Sequence, residues 1–311
     1  MKTVRIQKSG SFEQLKVEDI PVPEINDDQV LVKVYAASVN HLDMLKASGG
    51  IPVKYPWIPG HDFSGIIEKV GKNVFSLRVG EPVYGNCPGG SYAEYLAADI
   101  NKVVMKPDNL SFPEAASVPH VAETAWQAIH QHGQLRKGQK VLIHAAAGGV
   151  GAFAVQFARI IGATIYGTAS GKDIEYVKSL GADQVIDFKT ADFTREFKDM
   201  DLVLSLVRGD TEEKSYTVLK DGGRLVSTVG IAHEEIAKKH NITAIGMVIQ
   251  QSAQDLEEIT TLIKDGKVRT DIALTYPLDE AATSWKVLSG DPSSPKISHG
   301  KIVLEIVRIK E

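Results

Sequence analysis

Cysteine is almost absent from this chain of 311 residues, since Cys87 is its single example. One thiol cannot form a disulfide within the chain, and such cysteine usage fits a reducing compartment. A structural zinc lobe built from four cysteines is excluded for the same reason. We therefore expect a cytoplasmic protein, whose hydrophobic content of 43% is ordinary for a globular chain with a real core.

Long hydrophobic runs are missing as well. The most apolar stretch, residues 141–167, is interrupted by His144, Gln156 and Arg159, so a buried strand and helix explain it better than a membrane span. The first ten residues carry Lys2 and Arg5 with no apolar segment behind them, which argues against a signal peptide. We expect no membrane partner.

An excess of charge of either sign is the third thing that the chain lacks. Its 35 Lys and Arg residues nearly balance 39 Asp and Glu residues, which leaves a formal net charge of -4. This balance gives no electrostatic reason to expect nucleic acid as a partner.

Short β-branched segments, separated by glycine and proline, dominate about the first 115 residues. The strand candidates are residues 30–35, 63–70 and 82–84. This pattern predicts a mostly β domain. Residues 114–131 then have the spacing of a helix.

From residue 140 onward the chain alternates between strand and helix patterns. The predicted strands are residues 140–144, 164–168, 184–187, 202–206 and 224–228, and the predicted helices between them are residues 150–161 and 173–180. Such alternation is typical of a parallel sheet covered by helices on both faces. The tail differs, because residues 256–265 predict an amphipathic helix and residues 301–308 predict a strand that returns to the first domain.

A glycine-rich turn carries the sharpest functional signal. A short apolar strand runs into residues 146–151 (AAGGVG), and a helix follows, which is the GxGxxG pattern with alanine in the first position. Glycines let a backbone approach a pyrophosphate closely, and the helix N-terminus offers free N–H groups to it. The alternative is an ordinary glycine-rich turn. The predicted coenzyme-binding residues here are Ala147, Gly148, Gly149, Val150 and Gly151.

The end of the second strand of this pattern predicts the coenzyme. Enzymes that use NAD usually place an acid there to bind the ribose 2′-hydroxyl, yet positions 168–172 contain none. Ser170 and Lys172 instead offer a donor and a positive charge, which suit the 2′-phosphate of NADPH. The alternative for Lys172 is a solvated lysine, and Asp173 is interpreted as a charge at a helix start.

Several segments resemble one family over nearly the whole chain. They include AASVNHLDMLKASG at 36–49, PWIPGHDFSGIIEKVG at 56–71, the coenzyme segment at 145–163, LKDGGRLVSTVG at 219–230 and HGKIVLEI at 299–306. These segments are similar to the zinc-independent quinone oxidoreductase (ζ-crystallin-like) branch of the medium-chain dehydrogenase/reductase superfamily.

The resemblance implies an α/β protein with two domains. A GroES-like β domain would comprise residues 1–117 and 254–311, and a Rossmann domain with a doubly wound parallel sheet would comprise residues 118–253. Members of the family are usually homodimers in which the last Rossmann strand, here within residues 241–250, often pairs across the interface. We therefore expect a homodimer.

The resemblance also implies that no catalytic zinc is bound. Asn40 stands in the place of the first zinc-ligating cysteine of the alcohol dehydrogenases, while His61 survives in the sequence GHD. A single histidine cannot make the three-ligand open site of catalytic zinc. We interpret His61 as a hydrogen-bonded structural histidine.

Three further residues are candidates by resemblance. Asn40 and Thr124 match catalytic positions near the nicotinamide, and Gly230 ends the strand that passes it. The alternatives are a turn asparagine, a mid-helix threonine and a plain turn glycine. Asp43 matches a recurrent acid of the family, but capping or pairing within the fold is at least as good a reading. Glu123 is interpreted as a helix surface charge.

Two tyrosines of some family members are replaced by Leu45 and Phe188. Phe188 stands where a tyrosine helps to hold the 2′-phosphate in some family members, so binding of this phosphate would depend more on Lys172 and Ser170. No unambiguous general acid is visible, and solvent is the expected source of the proton.

The leading functional hypothesis is metal-independent, NADPH-dependent reduction of a quinone. The alternative is reduction of the C=C bond of an enone or alkenal with the same hydride geometry, since both acceptors are already electrophilic. A third hypothesis, from another class, is a non-catalytic NADPH-binding protein.

Overall fold

The computed structural model describes residues 1–10 and 12–307. The strands of this part of the chain are β1 Lys2–Arg5, β2 Lys16–Asp19, β3 Gln29–Ser38, β4 Asp62–Val70, β5 Pro82–Asn86, β6 Tyr95–Asp99, β7 Val103–Met105, β8 Lys140–Ile143, β9 Thr164–Ala169, β10 Gln184–Asp187, β11 Met200–Ser205, β12 Leu219–Ser227, β13 Thr243–Gly246, β14 Ile272–Pro277 and β15 Lys301–Glu305. The α-helices are α1 His41–Ala47, α2 Phe112–Ala116, α3 Pro119–Trp126, α4 Gly149–Ile161, α5 Ile174–Leu180, α6 Phe193–Glu196, α7 Thr211–Ser215, α8 Glu234–Lys239, α9 Ala253–Lys264 and α10 Ala281–Leu288.

The chain forms two compact units. Unit 1 comprises Met1–His120, Gln251–Lys264 and Thr270–Glu311, and unit 2 comprises Val121–Gln250 and Asp265–Arg269. The predicted domain boundaries after residues 117 and 253 lie three residues away from these positions. Nothing in the sequence pattern pointed to the short return of residues 265–269 to unit 2.

Unit 1 is built on a mostly antiparallel seven-stranded sheet. Its strands follow the order β14-β15-β3-β4-β5-β7, and β6 also pairs with β3. β15 lies antiparallel to β3, with Val303 opposite Ser38. Because β3 and β4 alternate large apolar side chains, Val32, Phe63 and Val83 pack into one buried cluster. This sheet supports α1, which carries several of the candidate site residues.

Unit 2 is a six-stranded parallel sheet in the order β10-β9-β8-β11-β12-β13. Numbered within the unit, this order is 3-2-1-4-5-6, the doubly wound order of dinucleotide-binding sheets. Strands buried on both faces require continuous apolar runs, and Leu142, Val203 and Leu225 provide its core. The predicted α/β class, with a β-rich part and a doubly wound parallel sheet, is confirmed.

The prediction of one continuous helix over residues 114–131 is wrong. Residues 114–131 do not form a single helix, because α2 ends at Ala116, α3 begins at Pro119, and residues Gln127–His132 form a π-helical turn. Proline disfavours helical backbone in the preceding residue but suits the first helical position. Pro119 therefore ends one helix and begins the next.

The predicted strand at 301–308 runs from Lys301 to Glu305, and Arg308 lies outside the described residues. Within residues 1–10 and 12–307, no helix is both long and apolar enough to cross a membrane.

Candidate coenzyme and substrate site

The glycine-rich turn joins the central strand β8 to α4. In β8, Ile143 pairs with Gly167 of β9 on one side and with Leu204 of β11 on the other. Strand order reverses between β8 and β11, and the crevice at such a reversal is where open parallel sheets bind ligands. The turn thus lies at the edge of the sheet where a dinucleotide is expected.

The two outer glycines of the turn serve different purposes. A Cβ atom on Gly151 would lie 2.3 Å from the carbonyl oxygen of Ala145, so the start of α4 could not stay where it is. A Cβ atom on Gly148 would lie 3.2 Å from the same oxygen, and Gly148 is exposed. Gly151 is therefore needed for helix–strand packing, whereas Gly148 leaves the exposed side of the turn without a side chain.

The residues of the turn fit a pyrophosphate. Gly148 is the N-cap of α4, and its carbonyl oxygen accepts a hydrogen bond from the Ala152 N–H at 2.8 Å. The preceding N–H groups of Gly149, Val150 and Gly151 lie in the first turn, where an α-helix provides no intrahelical acceptor. These N–H groups form the positive end of the helix dipole, which favours a bound anion. Ala147 is buried under the turn with a relative exposure of 6%.

The predicted 2′-phosphate residues follow β9 directly. Ser170 is the N-cap of the 3₁₀ turn Gly171–Asp173, and Lys172 is exposed in that turn. The Ser170 hydroxyl donates a hydrogen bond to the carboxylate of the buried Asp173. Ser170 is thus oriented by Asp173 and offers its lone pairs, not its proton, to the outside.

A second carboxylate lies at the same edge of the sheet. Asp187 ends β10 opposite Ala169, and a Cβ atom on Gly171 would come within 2.7 Å of its Oδ2 atom. Next to it, the ammonium of Lys189 lies 5.8 Å from the centre of the Phe188 ring. Phe188 is 60% exposed. This edge therefore presents Lys172, Lys189 and an aromatic ring, with Asp187 as an opposing charge that sequence reasoning missed.

Gly230 lies in the loop after β12 with a φ of +98°, where an added Cβ atom would meet no neighbour within 4 Å. Two residues further on, the Ala232 N–H lies 3.1 and 3.0 Å from the two carboxylate oxygens of Glu212. Glu212 is buried and also accepts hydrogen bonds from the His233 N–H and the Tyr216 hydroxyl. Glu212 therefore anchors the loop that contains Gly230.

Asn40 is the centre of a buried polar network in unit 1. Its Nδ2 atom donates to Asp62 Oδ2 at 2.8 Å and to Ser38 Oγ at 3.2 Å, and its Oδ1 atom accepts from Lys301 Nζ at 2.6 Å. Lys301 is buried too, and burial lowers the pKa of its ammonium, although Asp62 and Asp43 oppose the shift. Both ends of the Asn40 amide are thus occupied inside the unit.

His61 is bonded at both ring nitrogens. Its Nδ1 atom lies 2.6 Å from Asp43 Oδ1, and its Nε2 atom lies 2.7 Å from Lys46 Nζ. His61 and Asp43 are 1% and 0% exposed. The reading of His61 as a hydrogen-bonded histidine is confirmed. Asp43 pairs with it and also accepts from the Asn40 N–H within the capping box of α1.

Thr124 lies in α3 just before the π-helical turn and is 6% exposed. Its neighbour Glu123 is fully buried, so the interpretation of Glu123 as a surface charge was wrong.

Lys46, Lys301 and Glu212 were missed by the sequence reasoning. Lys46 is distant in sequence from its partner His61, and Lys301 and Glu212 bond to segments still further away. No local pattern signals such contacts. Lys301 offered one clue in the sequence, because it directly precedes the apolar residues 302–304 of its strand.

Two family descriptions match the chain. Residues 26–108 match the alcohol dehydrogenase GroES-like domain. Residues 180–304 match a domain described as zinc-binding dehydrogenase.

Similar proteins cover nearly the whole chain. The 2-methylene-furan-3-one reductase of Solanum lycopersicum is 34% identical over 96% of this chain and 78% of its own. The NADPH-dependent alkenal/one oxidoreductase of Arabidopsis thaliana, a chloroplast protein, is 31% identical over 93% of this chain and 76% of its own. The solved quinone oxidoreductase of Coxiella burnetii superimposes with a TM-score of 0.91, at 34% identity and 99% coverage of both chains.

The donors around His61 do not fit a catalytic zinc ion. The Nε2 atom that a metal would need receives the Lys46 ammonium, and Asn40 offers no thiolate. Burial raises the pKa of the Cys87 thiol to about 12, which disfavours the thiolate that zinc binds. Among the described residues, no group of three or more His, Cys, Asp or Glu side chains could hold a metal ion.

Proposed function

The chain belongs to the zinc-independent quinone oxidoreductase branch of the medium-chain dehydrogenase/reductase superfamily, and on this premise we propose that it reduces quinones with NADPH. The proposal is supported by the likeness to the Coxiella burnetii quinone oxidoreductase. The single structural observation that carries it is the glycine turn at the reversal point of the parallel sheet. We assign coenzyme binding to the domain predicted at residues 118–253, whose core is unit 2.

NADPH supplies the hydride when it is bound. We assign its pyrophosphate to the backbone of Ala147, Gly148, Gly149, Val150 and Gly151, because the N–H groups in the first turn of an α-helix have no intrahelical acceptor and favour an anion.

We assign the 2′-phosphate to Lys172 and to Ser170, whose hydroxyl would turn from Asp173 to donate to the phosphate, and the nicotinamide to the loop of Gly230. Lys172 forms no ion pair among the described residues, so its charge is available to a phosphate. The NADPH-dependent relative from Arabidopsis thaliana supports this coenzyme. The negative charge of Asp187 repels the phosphate and moderates the preference for NADPH over NADH.

Asn40 and Thr124 are our candidates beside the reacting groups. The network around Asn40 holds its amide in a single orientation, because Lys301 can only donate and Asp62 can only accept. Because both N–H bonds of this amide are committed to Asp62 and Ser38, Asn40 would meet the reacting groups as an acceptor, through the second lone pair of its Oδ1 atom. Electrophilic acceptors such as quinones need orientation and modest stabilisation of the oxygen, not a metal.

Reduction of an enone or alkenal C=C bond is the second candidate. It is favoured by the names of two relatives, the furanone reductase of Solanum lycopersicum and the alkenal/one oxidoreductase of Arabidopsis thaliana. Hydride delivery to such a carbon uses the same coenzyme site. The two candidates differ in the atom that receives the hydride and in the product.

Turnover of NADPH with a panel of quinones, enones and alkenals tests both candidates. We expect quinones to be reduced to hydroquinones with the highest kcat/KM, as followed by NADPH absorbance and product chromatography. Higher efficiency with alkenals would replace quinone reduction by C=C reduction. NADPH binding without turnover of any acceptor would identify a non-catalytic binding protein and refute both.

We also propose a homodimer in the cytoplasm. The edge strand β13 has a free side in unit 2, and Val248 just after it is 84% exposed, which fits pairing with a second copy. Light scattering on the wild type and on a Val248→Asp variant tests the dimer: the wild type should have twice the chain mass, and the variant should dissociate. A monomeric wild type would rule it out.

A further inference from the structure

Asp43, His61 and Lys46 form a linear chain of hydrogen bonds, which we call the Lys46 relay. The distances are 2.6 Å from Asp43 Oδ1 to His61 Nδ1 and 2.7 Å from His61 Nε2 to Lys46 Nζ. Asp43 and His61 are buried, whereas Lys46 is half-buried. The carboxylate end of the relay is therefore shielded from solvent, whereas the amine end is accessible to a ligand.

The protons of the relay are set by its donors. An ammonium can only donate, so Nε2 of His61 is the acceptor. The ring proton is therefore on Nδ1, which donates a hydrogen bond to Asp43. Burial by itself raises the pKa of the Asp43 carboxyl, but the His61 ring and the N–H groups of Gly60 and Asn40 outweigh it and hold the pKa below its usual range. Asp43 is thus a buried anion that balances the charge of Lys46.

Lys46 is prepared to release a proton. Its Nζ atom also donates to the carbonyl oxygen of Pro88 at 3.0 Å, which leaves its third N–H free to point elsewhere. Burial lowers the pKa of the ammonium, and the opposing effects of Asp43 and the Cys87 thiol do not cancel the shift. A lysine with a lowered pKa is a better general acid near neutral pH than an ordinary one.

We propose that Lys46 is the proton donor of the reduction, with His61 and Asp43 as positioning residues behind it. The inference rests on the proposed function. When bound NADPH supplies a hydride to one end of the conjugated acceptor, one N–H bond of the Lys46 ammonium would break and an O–H bond would form on the acceptor oxygen at the other end. The neutral amine then takes a proton from water. One hydride and one proton convert a quinone to a hydroquinone, so atoms and charges balance.

Other groups near the relay are poor proton donors. Cys87 is buried, its Sγ atom faces the carbonyl oxygen of Gly60, and its pKa is raised to about 12. The Tyr92 hydroxyl is buried, accepts a hydrogen bond from Trp285 Nε1 and has a pKa raised well above its usual value by burial. The half-buried Lys46 combines exposure with a transferable proton.

Two substitutions of Lys46 separate charge from proton transfer. Lys46→Arg keeps the positive charge, but a guanidinium does not deprotonate in proteins. Lys46→Met removes both. Lys54→Met is the matched control, because Lys54 is exposed in the same unit. General acid catalysis contributes about 10²- to 10⁴-fold, so we expect both Lys46 variants to lose roughly 100-fold or more in kcat.

Three measurements identify the role. NADPH affinity, measured by fluorescence titration, should be unchanged in both Lys46 variants. The wild-type kcat should fall at high pH as the donor deprotonates, and this limb should disappear in Lys46→Arg. Asp43→Asn should shift the limb without abolishing it, because it perturbs Lys46 through His61.

The outcomes distinguish this inference from the proposed function. A wild type that reduces no quinone, enone or alkenal refutes the function itself. A wild type that turns over, with a Lys46→Arg variant of equal kcat and the same high-pH limb, overturns only the role of Lys46. A folded Lys46→Met variant with weakened NADPH binding and unchanged kcat would also overturn it.

Discussion

The ammonium of Lys46 lies 2.7 Å from Nε2 of His61, the ring nitrogen through which this histidine would bind a metal. The other ring nitrogen is committed to Asp43. An internal cation thus holds the place where a catalytic zinc would sit, and the two positive charges exclude each other by direct repulsion.

Purified protein should therefore contain zinc well below one equivalent and keep its activity in a chelator. Elemental analysis and activity assays with and without chelator are the measurements. A Lys46→Ala variant separates the two causes: we expect it to stay free of zinc because the second and third ligands are missing, whereas a gain of zinc would show that the Lys46 ammonium alone excludes the metal. One equivalent of zinc, lost together with activity, would contradict the prediction.

Valine in place of Gly148 or Gly151 should have different effects. Gly148→Val should leave the fold intact and weaken NADPH binding by tenfold or more, about 1.4 kcal/mol, because the side chain stands in front of the pyrophosphate site. Gly151→Val should be destabilised by roughly 1–3 kcal/mol, the usual cost of overpacking, because its Cβ atom meets the Ala145 carbonyl oxygen. Thermal unfolding and NADPH titration check both. Unchanged NADPH affinity in folded Gly148→Val would refute the placement of the pyrophosphate.

NADPH should be preferred over NADH by roughly tenfold in kcat/KM, since one charge-assisted hydrogen bond contributes about 1.5–3 kcal/mol. The exposure of Lys172 and the opposing charge of Asp187 favour the lower end of this energy range. Lys172→Ala should reduce the preference by weakening NADPH and leave NADH nearly unchanged. Lys198→Ala is the control, because Lys198 is exposed and lies before the start of β11, whereas Lys172 follows the end of β9. Equal efficiency with both coenzymes in the wild type would refute the 2′-phosphate site.

Protein stability should fall between pH 6.5 and pH 4 because of His144. Burial lowers the pKa of His144 to about 4, and its ring bridges Thr168 Oγ1 and Ser215 Oγ at 3.2 and 3.0 Å. The unfolded chain binds this proton near pH 6.5 and the folded chain near pH 4, so the stabilisation is complete above 6.5 and is lost as the pH falls toward 4.

The loss from His144 amounts to roughly 3 kcal/mol at most, at about 1.4 kcal/mol per pKa unit. Urea unfolding at pH 7 and pH 4.5 measures it. His144→Gln should lose less stability across this interval than the wild type, because glutamine does not titrate, and exposed His240→Gln should behave like the wild type. Equal losses in all three proteins would show that His144 does not contribute.

Glu212→Gln should weaken NADPH binding from outside the coenzyme turn. The glutamine keeps the size but replaces an acceptor oxygen by an NH₂ donor that faces the N–H groups of Ala232 and His233. A lost charge-assisted hydrogen bond costs about 1.5–3 kcal/mol, and the loop of Gly230 should become mobile. We expect a raised KM for NADPH and faster hydrogen exchange in this loop. Glu213→Gln, next in the same helix, is the control, and equal exchange in both variants would refute the anchor.

Local pattern determined the parallel sheet and the coenzyme turn from the sequence alone. The apolar strand 140–143, the glycines that follow and the helix after them are contiguous, so propensity and spacing suffice to place them. The helix break at Pro119 was missed because the apolar spacing continues across it, although the proline itself carried the information.

Only the tertiary structure decided the polar chemistry of unit 1. Asn40, Asp43 and His61 could be named from the sequence, but their partners could not, because Lys46 and Lys301 reach them across 15 and 261 positions of chain. Burial then forces these groups to satisfy one another, since an unpaired charge in the interior is costly. Sequence spacing does not encode such pairing, whereas the packing of β15 against β3 and of α1 against the segment of His61 does.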